Sequence, residues 1–197
     1  MVRRIICVGL GGQGVLTVGK LLMEAAVDKN LQCTWTCKYG NEMRGGYSEC
    51  NVIISDEKIA SPYADHPDIV FLMKNDGPVV EASVERYEAA MPKDGVMYIN
   101  KNALDQDVKR REDVRVVEIP ATDIATEQGR GGNANLVLLG KLASESGLFT
   151  YDEFEASMCK YFESHGKGKF NEGNKKMLAA GKNASRNTSL ACFEIVF

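Results

Sequence analysis

Three short segments combine residue types that could hold a ligand. The first, Gly9-Leu10-Gly11-Gly12-Gln13-Gly14, has G-x-G-x-x-G spacing and follows the apolar run Arg4–Val8. Glycines so spaced allow a tight turn and close approach of backbone to a ligand, and a helix starting there offers unpaired N–H groups and partial positive charge to an anion. A dinucleotide fold adds an Asp or Glu about 20 residues on, at the end of the second strand, to hold the ribose hydroxyls. That strand ends here in Thr36-Cys37-Lys38-Tyr39, without an acid. A nicotinamide nucleotide is therefore disfavoured, and the glycines keep two readings, an anion site or strand–helix packing. The second segment, Tyr39-Gly40-Asn41-Glu42-Met43-Arg44-Gly45-Gly46, sets two opposite charges among glycines. An Arg held there can meet a phosphate or carboxylate through paired hydrogen bonds; the alternative is a Glu42–Arg44 contact that shapes the loop. The third, Gly131-Gly132-Asn133-Ala134-Asn135, places an Asn to cap the next helix and to orient backbone near the glycine loop. The candidate binding residues are thus Gly9, Gly11, Gly12, Gln13, Gly14, Glu42, Arg44, Gly45, Asn133 and Asn135.

Other chemistry finds no footing in the sequence. No Ser-His-Asp set, paired-carboxylate arrangement or G-x-x-x-x-G-K-[ST] loop occurs, so no catalytic residue is assigned. The two histidines, His66 and His165, are far apart, and a metal site is not expected. The six cysteines include no Cys-x-x-Cys pair, which argues for reduced, mostly buried thiols and against a ferredoxin-type cluster. With 24 Lys+Arg against 27 Asp+Glu and a net charge of −3, no basic footprint for nucleic acid exists. No apolar stretch reaches the roughly 20 residues of a membrane helix, and Met1-Val2-Arg3-Arg4 leads into the glycine loop, so a cytoplasmic protein without a membrane partner is expected.

The elements that must position these segments follow from periodicity. Arg4–Val8 reads as a strand buried in a parallel sheet, and Val15–Lys29 has helical spacing of its apolar residues. Strands are expected at Gln32–Cys37, Ser48–Ser55, Asp68–Met73, Val96–Asn100 and Val114–Ile119. Helices are expected at Val79–Met91, Ala121–Glu127, Asn133–Glu145, Thr150–Tyr161 and Met177–Ala184, with Thr150 and Glu153 at capping-box spacing and residues 163–176 as a polar connection. Leu190–Phe197 is a terminal strand or tail. The pattern predicts a Rossmann-like three-layer α/β/α sandwich with a mainly parallel or mixed sheet, as one domain over residues 1–186 and a C-terminal extension over 187–197.

The ordered motifs resemble a known family. Val8–Val15, Gly19-Lys20-Leu21-Leu22, Glu24-Ala25-Ala26, the Tyr39–Gly46 loop with Ser48, Cys50 and Val52–Asp56, Ser61-Pro62, Pro67-Asp68, Pro120-Ala121-Thr122, Asn135–Gly140 and Asn174–Gly181 are similar, in order, to the gamma subunit of 2-oxoacid:ferredoxin oxidoreductases. The resemblance covers residues 3 to 183. It departs from the family at Asn41, where proline is common, at Arg130-Gly131-Gly132, and in the extension. It implies oxidative decarboxylation of a 2-oxoacid to acyl-coenzyme A with reduction of ferredoxin. It also implies thiamine diphosphate, magnesium and iron–sulfur clusters in alpha, beta and delta partner subunits, with coenzyme A as co-substrate and no cofactor assigned to this chain alone. The 2-oxoglutarate (succinyl-CoA-forming) type is the nearest in its motifs. Pyruvate, branched-chain and indolepyruvate versions stay open, as do a free-standing dinucleotide-binding oxidoreductase and a regulatory binding module.

Overall fold

The computed structural model describes residues 1–39, 46–73, 85–103 and 111–185. Short runs of Val, Ile and Cys give six strands, β1 (Val2–Leu10), β2 (Gln32–Tyr39), β3 (Tyr47–Ser55), β4 (Ile69–Leu72), β5 (Val96–Asn100) and β6 (Arg115–Ile119). They form one sheet in the order β2-β3-β1-β4-β5-β6. β1, β4, β5 and β6 pair in parallel, whereas β3 is antiparallel to both β1 and β2. The mixed α/β architecture agrees with the sequence expectation. The expected parallel surroundings of β1 need one correction, because one of its two neighbours is the antiparallel β3. Alternating polarity identifies a strand but carries no information on which strand lies beside it.

The helices are α1 (Val15–Asp28), α2 (described over residues 85–90), α3 (Ala121–Glu127), α4 (Ala134–Glu145), α5 (Tyr151–Ser164) and α6 (Asn171–Asn183). None of the described helices is long and apolar enough to cross a membrane. Successive strand residues face opposite ways, so each sheet face builds its own core. Ile5 and Cys7 join a large core with Val18 and Leu22 of α1, Leu138 of α4, Phe154 of α5 and Leu178 of α6. Ile6 and Val8 join a smaller one with Val70, Leu72, Met97, Ile99 and, from the other layer, Tyr87 and Met91.

Helix α4 is buried from Ala134 to Ala143, held between sheet and α6. The two helices touch backbone to backbone: a Cβ on Gly140 would strike the Leu178 carbonyl, and one on Gly181 the Val137 carbonyl. Helix α6 begins at Asn171, not at the expected Met177, and Ser164 still belongs to α5. Its first turns escaped the apolar periodicity because they bury polar residues, Asn171 and Asn174. The Asn171 amide donates to the Cys159 carbonyl at 3.2 Å and to Glu163 at 2.9 Å, which makes that burial tolerable. The thiols also need a correction: all five described cysteines are free, but only Cys7 and Cys50 are buried, and Cys33, Cys37 and Cys159 are half-buried. The helix expected over 79–91 is described only over 85–90, and the expectations for 187–197 and Leu190–Phe197 fall outside the described residues.

Candidate functional site

In open α/β sheets, ligands bind beyond the carboxyl ends of parallel strands. Here that rim is made of the Gly9–Gly14 loop after β1, Met73 after β4, Asn100 at the end of β5, and the first residues of α3 and α4. The glycine loop is tied from several sides. The Leu10 N–H donates to Gln13 Oε1 at 3.0 Å, and the Gln13 N–H to the Leu10 carbonyl at 3.2 Å. Gly11 donates its N–H to the Gly46 carbonyl at 2.8 Å. Glu42, Arg44 and Gly45 lie outside the described residues, but the chain that carries them re-enters at this loop.

The glycines divide into different roles. Gly9 is buried, and a Cβ there would sit 2.7 Å from Val15 Cγ2 and 3.1 Å from Met73 Cβ, which is packing. Gly12 is exposed, with nothing within 4 Å of an added Cβ. Gly14 is the N-cap of α1 at φ 73, the left-handed region that costs an ordinary residue about 1–2 kcal/mol. Among the described residues no side chain caps α1, and no acid occupies its first turn. Its leading N–H groups lack intrahelical partners and carry partial positive charge, a setting that suits an anion.

Asn135 reaches this loop, with Nδ2 donating to the Gly14 carbonyl at 3.4 Å. Asn133 stands at the N-cap position of α4 yet makes no capping bond, a correction to the expected cap; its amide instead donates to Asn174 Oδ1 at 3.3 Å, tying α4 to α6. Sequence reading missed Asn100. Its amide donates to the Met73 carbonyl and to Thr122 Oγ1, both at 2.8 Å, and its Oδ1 accepts the Thr122 N–H at 3.3 Å. Asn100 thereby fixes the ends of β4, β5 and α3 together. A polar residue closing an apolar strand was the available signal.

A second polar cluster also escaped the sequence. Glu49 on β3 is only 3% exposed, and Tyr47 donates to its Oε2 at 2.6 Å while Tyr87 of α2 donates to the same oxygen. Its Oε1 accepts from Asn51 at 3.3 Å and lies 3.6 Å from Lys38 Nζ. Burial pushes the Glu49 carboxyl up, but the two tyrosines, Lys38 and Asn51 outweigh it and hold the group below the usual carboxylate range. Burial, reinforced by Glu49, pushes the Tyr47 hydroxyl up to about 12. The cluster is saturated with internal partners and holds β3 to α2.

The described residues suit some ligands and not others. They contain no group of three or more His, Cys, Asp or Glu that could hold a metal ion. Iron–sulfur ligation and magnesium-held diphosphate do not fit them. A dinucleotide fits poorly as well, since the second strand, which must neighbour β1 to bring an acid to the ribose, is displaced one position by β3.

A mixed α/β sheet whose first strand runs through a glycine loop into a helix N-terminus defines a Rossmann-like α/β class. Residues 4–184 match the family described as pyruvate ferredoxin/flavodoxin oxidoreductase, and the chain belongs to that family. It is 34% identical over 184 residues to the ketoisovalerate oxidoreductase subunit VorA of Methanothermobacter marburgensis, covering 93% of this chain and 36% of that protein. The chain thus spans about a third of that relative's length. It is 31% identical to the 2-oxoglutarate synthase subunit KorC of Methanocaldococcus jannaschii, covering 76% of this chain and 78% of that protein. The fold is shared with the gamma subunit of a keto/oxoacid ferredoxin oxidoreductase from Geobacter sulfurreducens, at TM-score 0.71 and 23% identity over 91% of this chain and 95% of that one.

Proposed function

We propose that this chain is the gamma component of a multi-subunit 2-oxoacid:ferredoxin oxidoreductase, working with alpha, beta and delta partners. The family match over residues 4–184 carries this reading, together with a described structure that offers no ligand set for a cluster or metal. The decarboxylation and redox centres then belong to other parts of the enzyme. Thiamine diphosphate with magnesium would supply the decarboxylation chemistry, and iron–sulfur clusters the one-electron transfer to ferredoxin, both held by partner subunits. The chain's own task is binding and positioning. The uncapped start of α1, with Gly12 open beside it and Gly14 held by Asn135, receives an anionic part of coenzyme A, and Arg44 adds a charged contact from the loop ending at Gly46.

The 2-oxoacid is 2-oxoglutarate in the first reading, on the motifs shared with that type. A branched-chain 2-oxoacid is the second reading, favoured by the 34% identity to a ketoisovalerate subunit. Anaerobic affinity capture of the tagged chain from its native cells, with mass spectrometry and ferredoxin-reduction assays on 2-oxoglutarate, ketoisovalerate and pyruvate, tests both. Co-purifying larger subunits with activity on one acid is the expected result; the chain alone, inert on all three, refutes the assignment. In the assembled enzyme, Arg44→Ala should raise the KM for coenzyme A about tenfold, the loss of one charge-assisted contact. An unchanged KM would remove Arg44 from the ligand site.

A further inference from the structure

The strand register aligns three cysteines. Cys7 of β1 stands opposite Cys50 of β3, and Cys50 stands opposite Cys37 of β2. All three contribute to the same core, so their side chains share one face of the sheet. In an antiparallel pair, residues alternate between positions that exchange backbone hydrogen bonds and closer positions that do not. The ends of the β1–β3 ladder set the phase: Asp56 donates to the Met1 carbonyl and Gly11 to the Gly46 carbonyl, which makes the odd-numbered residues of β1 the bonded ones. Cys7–Cys50 is therefore a hydrogen-bonded pair. A residue's N–H and C=O point to the same side of its strand, so Cys50 cannot also be bonded toward β2. Cys37–Cys50 is the non-bonded pair, with Cα atoms about 4.5 Å apart, inside the roughly 4.4–6.8 Å that a disulfide spans.

We propose that Cys37 and Cys50 form a peroxide-reactive dithiol that closes to a disulfide across β2 and β3. Cys37 sits on the sheet edge and is half-buried, which gives the oxidant its entry; Cys50 is fully buried beside it. The Cys37 sulfur attacks hydrogen peroxide, the O–O bond breaks, and the departing hydroxide leaves as water with the thiol proton. The Cys50 sulfur then attacks the Cys37 sulfenic acid, the S–O bond breaks, and a second water leaves with the Cys50 proton. Two thiols lose two electrons, and one peroxide becomes two waters. Cys7 is a weaker competitor, since its hydrogen bond with Cys50 and its burial push its thiol up. The reaction reaches the glycine loop: Cys50 Sγ donates to the Val15 carbonyl at 3.6 Å, and a Cβ on Gly19 would lie 2.6 Å from it, so oxidation withdraws a contact from the first turns of α1.

The test treats the intact native chain with hydrogen peroxide, blocks remaining thiols with N-ethylmaleimide, digests it with trypsin without reduction and sequences cross-linked peptides by mass spectrometry. The expected product joins residues 30–38, through Cys37, to residues 45–58, through Cys50, and disappears with dithiothreitol. Cys7→Ser and Cys33→Ser should keep it. Cys50→Ser and Cys37→Ser should abolish it; Cys37 is half-buried on the edge strand, so its variant gives a folded control even where Cys50→Ser disturbs the core. A link through Cys33, a Cys7–Cys50 link in its place, or Cys37 over-oxidised with Cys50 still free would overturn the proposal, as would full alkylation of both residues after peroxide.

Discussion

The N-termini of α1 and α5 solve one physical problem in opposite ways. Both leave leading N–H groups without intrahelical partners. At α5 the side chains answer internally: Glu153 donates its N–H to Thr150 Oγ1 at 3.3 Å, and Thr150 donates its own to Glu153 Oε2 at 2.8 Å. Lys29 closes on the same carboxylate at 3.0 Å, and these bonds hold the Glu153 carboxyl down to about 2. At α1 no described side chain answers: glycine occupies the cap, no acid sits in the first turn, and Gly11 and Gly12 precede it in the loop. On the proposed reading, the helix that serves stability consumes its own donors and the one that serves a ligand leaves them open.

The contrast can be broken or sharpened by substitution. Gly14→Ala should have the largest effect, about 2 kcal/mol of lost stability, because Ala resists φ 73 and its Cβ would displace the Asn135 amide; urea unfolding of the two proteins measures it. A change below about 0.5 kcal/mol would show that the loop relaxes freely. Thr17→Asp supplies α1 with the acid it lacks. It should stabilise the chain by about 0.5 kcal/mol yet raise the coenzyme A KM of the assembled enzyme about tenfold; both quantities moving the same way would detach helix start from ligand. At the capped helix, Thr150→Ala should cost about 1 kcal/mol and leave that KM alone.

The smallest effect is in acid. The Glu153 carboxyl lies near 2 when folded against an ordinary 4.5, so its contribution is complete above 4.5 and lost as pH falls toward 2. The stability gap between the parent and Glu153→Gln should therefore stay constant from pH 7 to about 5 and close below. A gap that persisted at pH 2 would mean that the cap acts through shape and not charge.

Much of this was legible in the residues. Strand β5 and helix α3 occupy the expected ranges, and Thr150 with Glu153 forms the cap its spacing announced. These features depend on neighbours in sequence, where period and capping chemistry act. What stayed hidden depends on neighbours in space. Glu49 looks like the polar member of an alternating strand, and only α2 folding across it shows that it is buried. Asn133 sits where a cap belongs, but Asn174, far along the chain, takes its amide. Likewise Cys7, Cys37 and Cys50 share a face only once β3 has been placed between β2 and β1.

That placement also constrains how the chain assembles. Strand β2 can zip to β3 as a local hairpin, but Val2 must wait for Ser55 before β1 gains its antiparallel partner, and its parallel neighbour β4 comes later still. During synthesis β1 leaves the ribosome first and is paired last on this side of the sheet, carrying Ile5-Ile6-Cys7-Val8 unprotected through the interval. A strand buried over residues 5–9 in the finished protein is the one that spends longest exposed while it is being made.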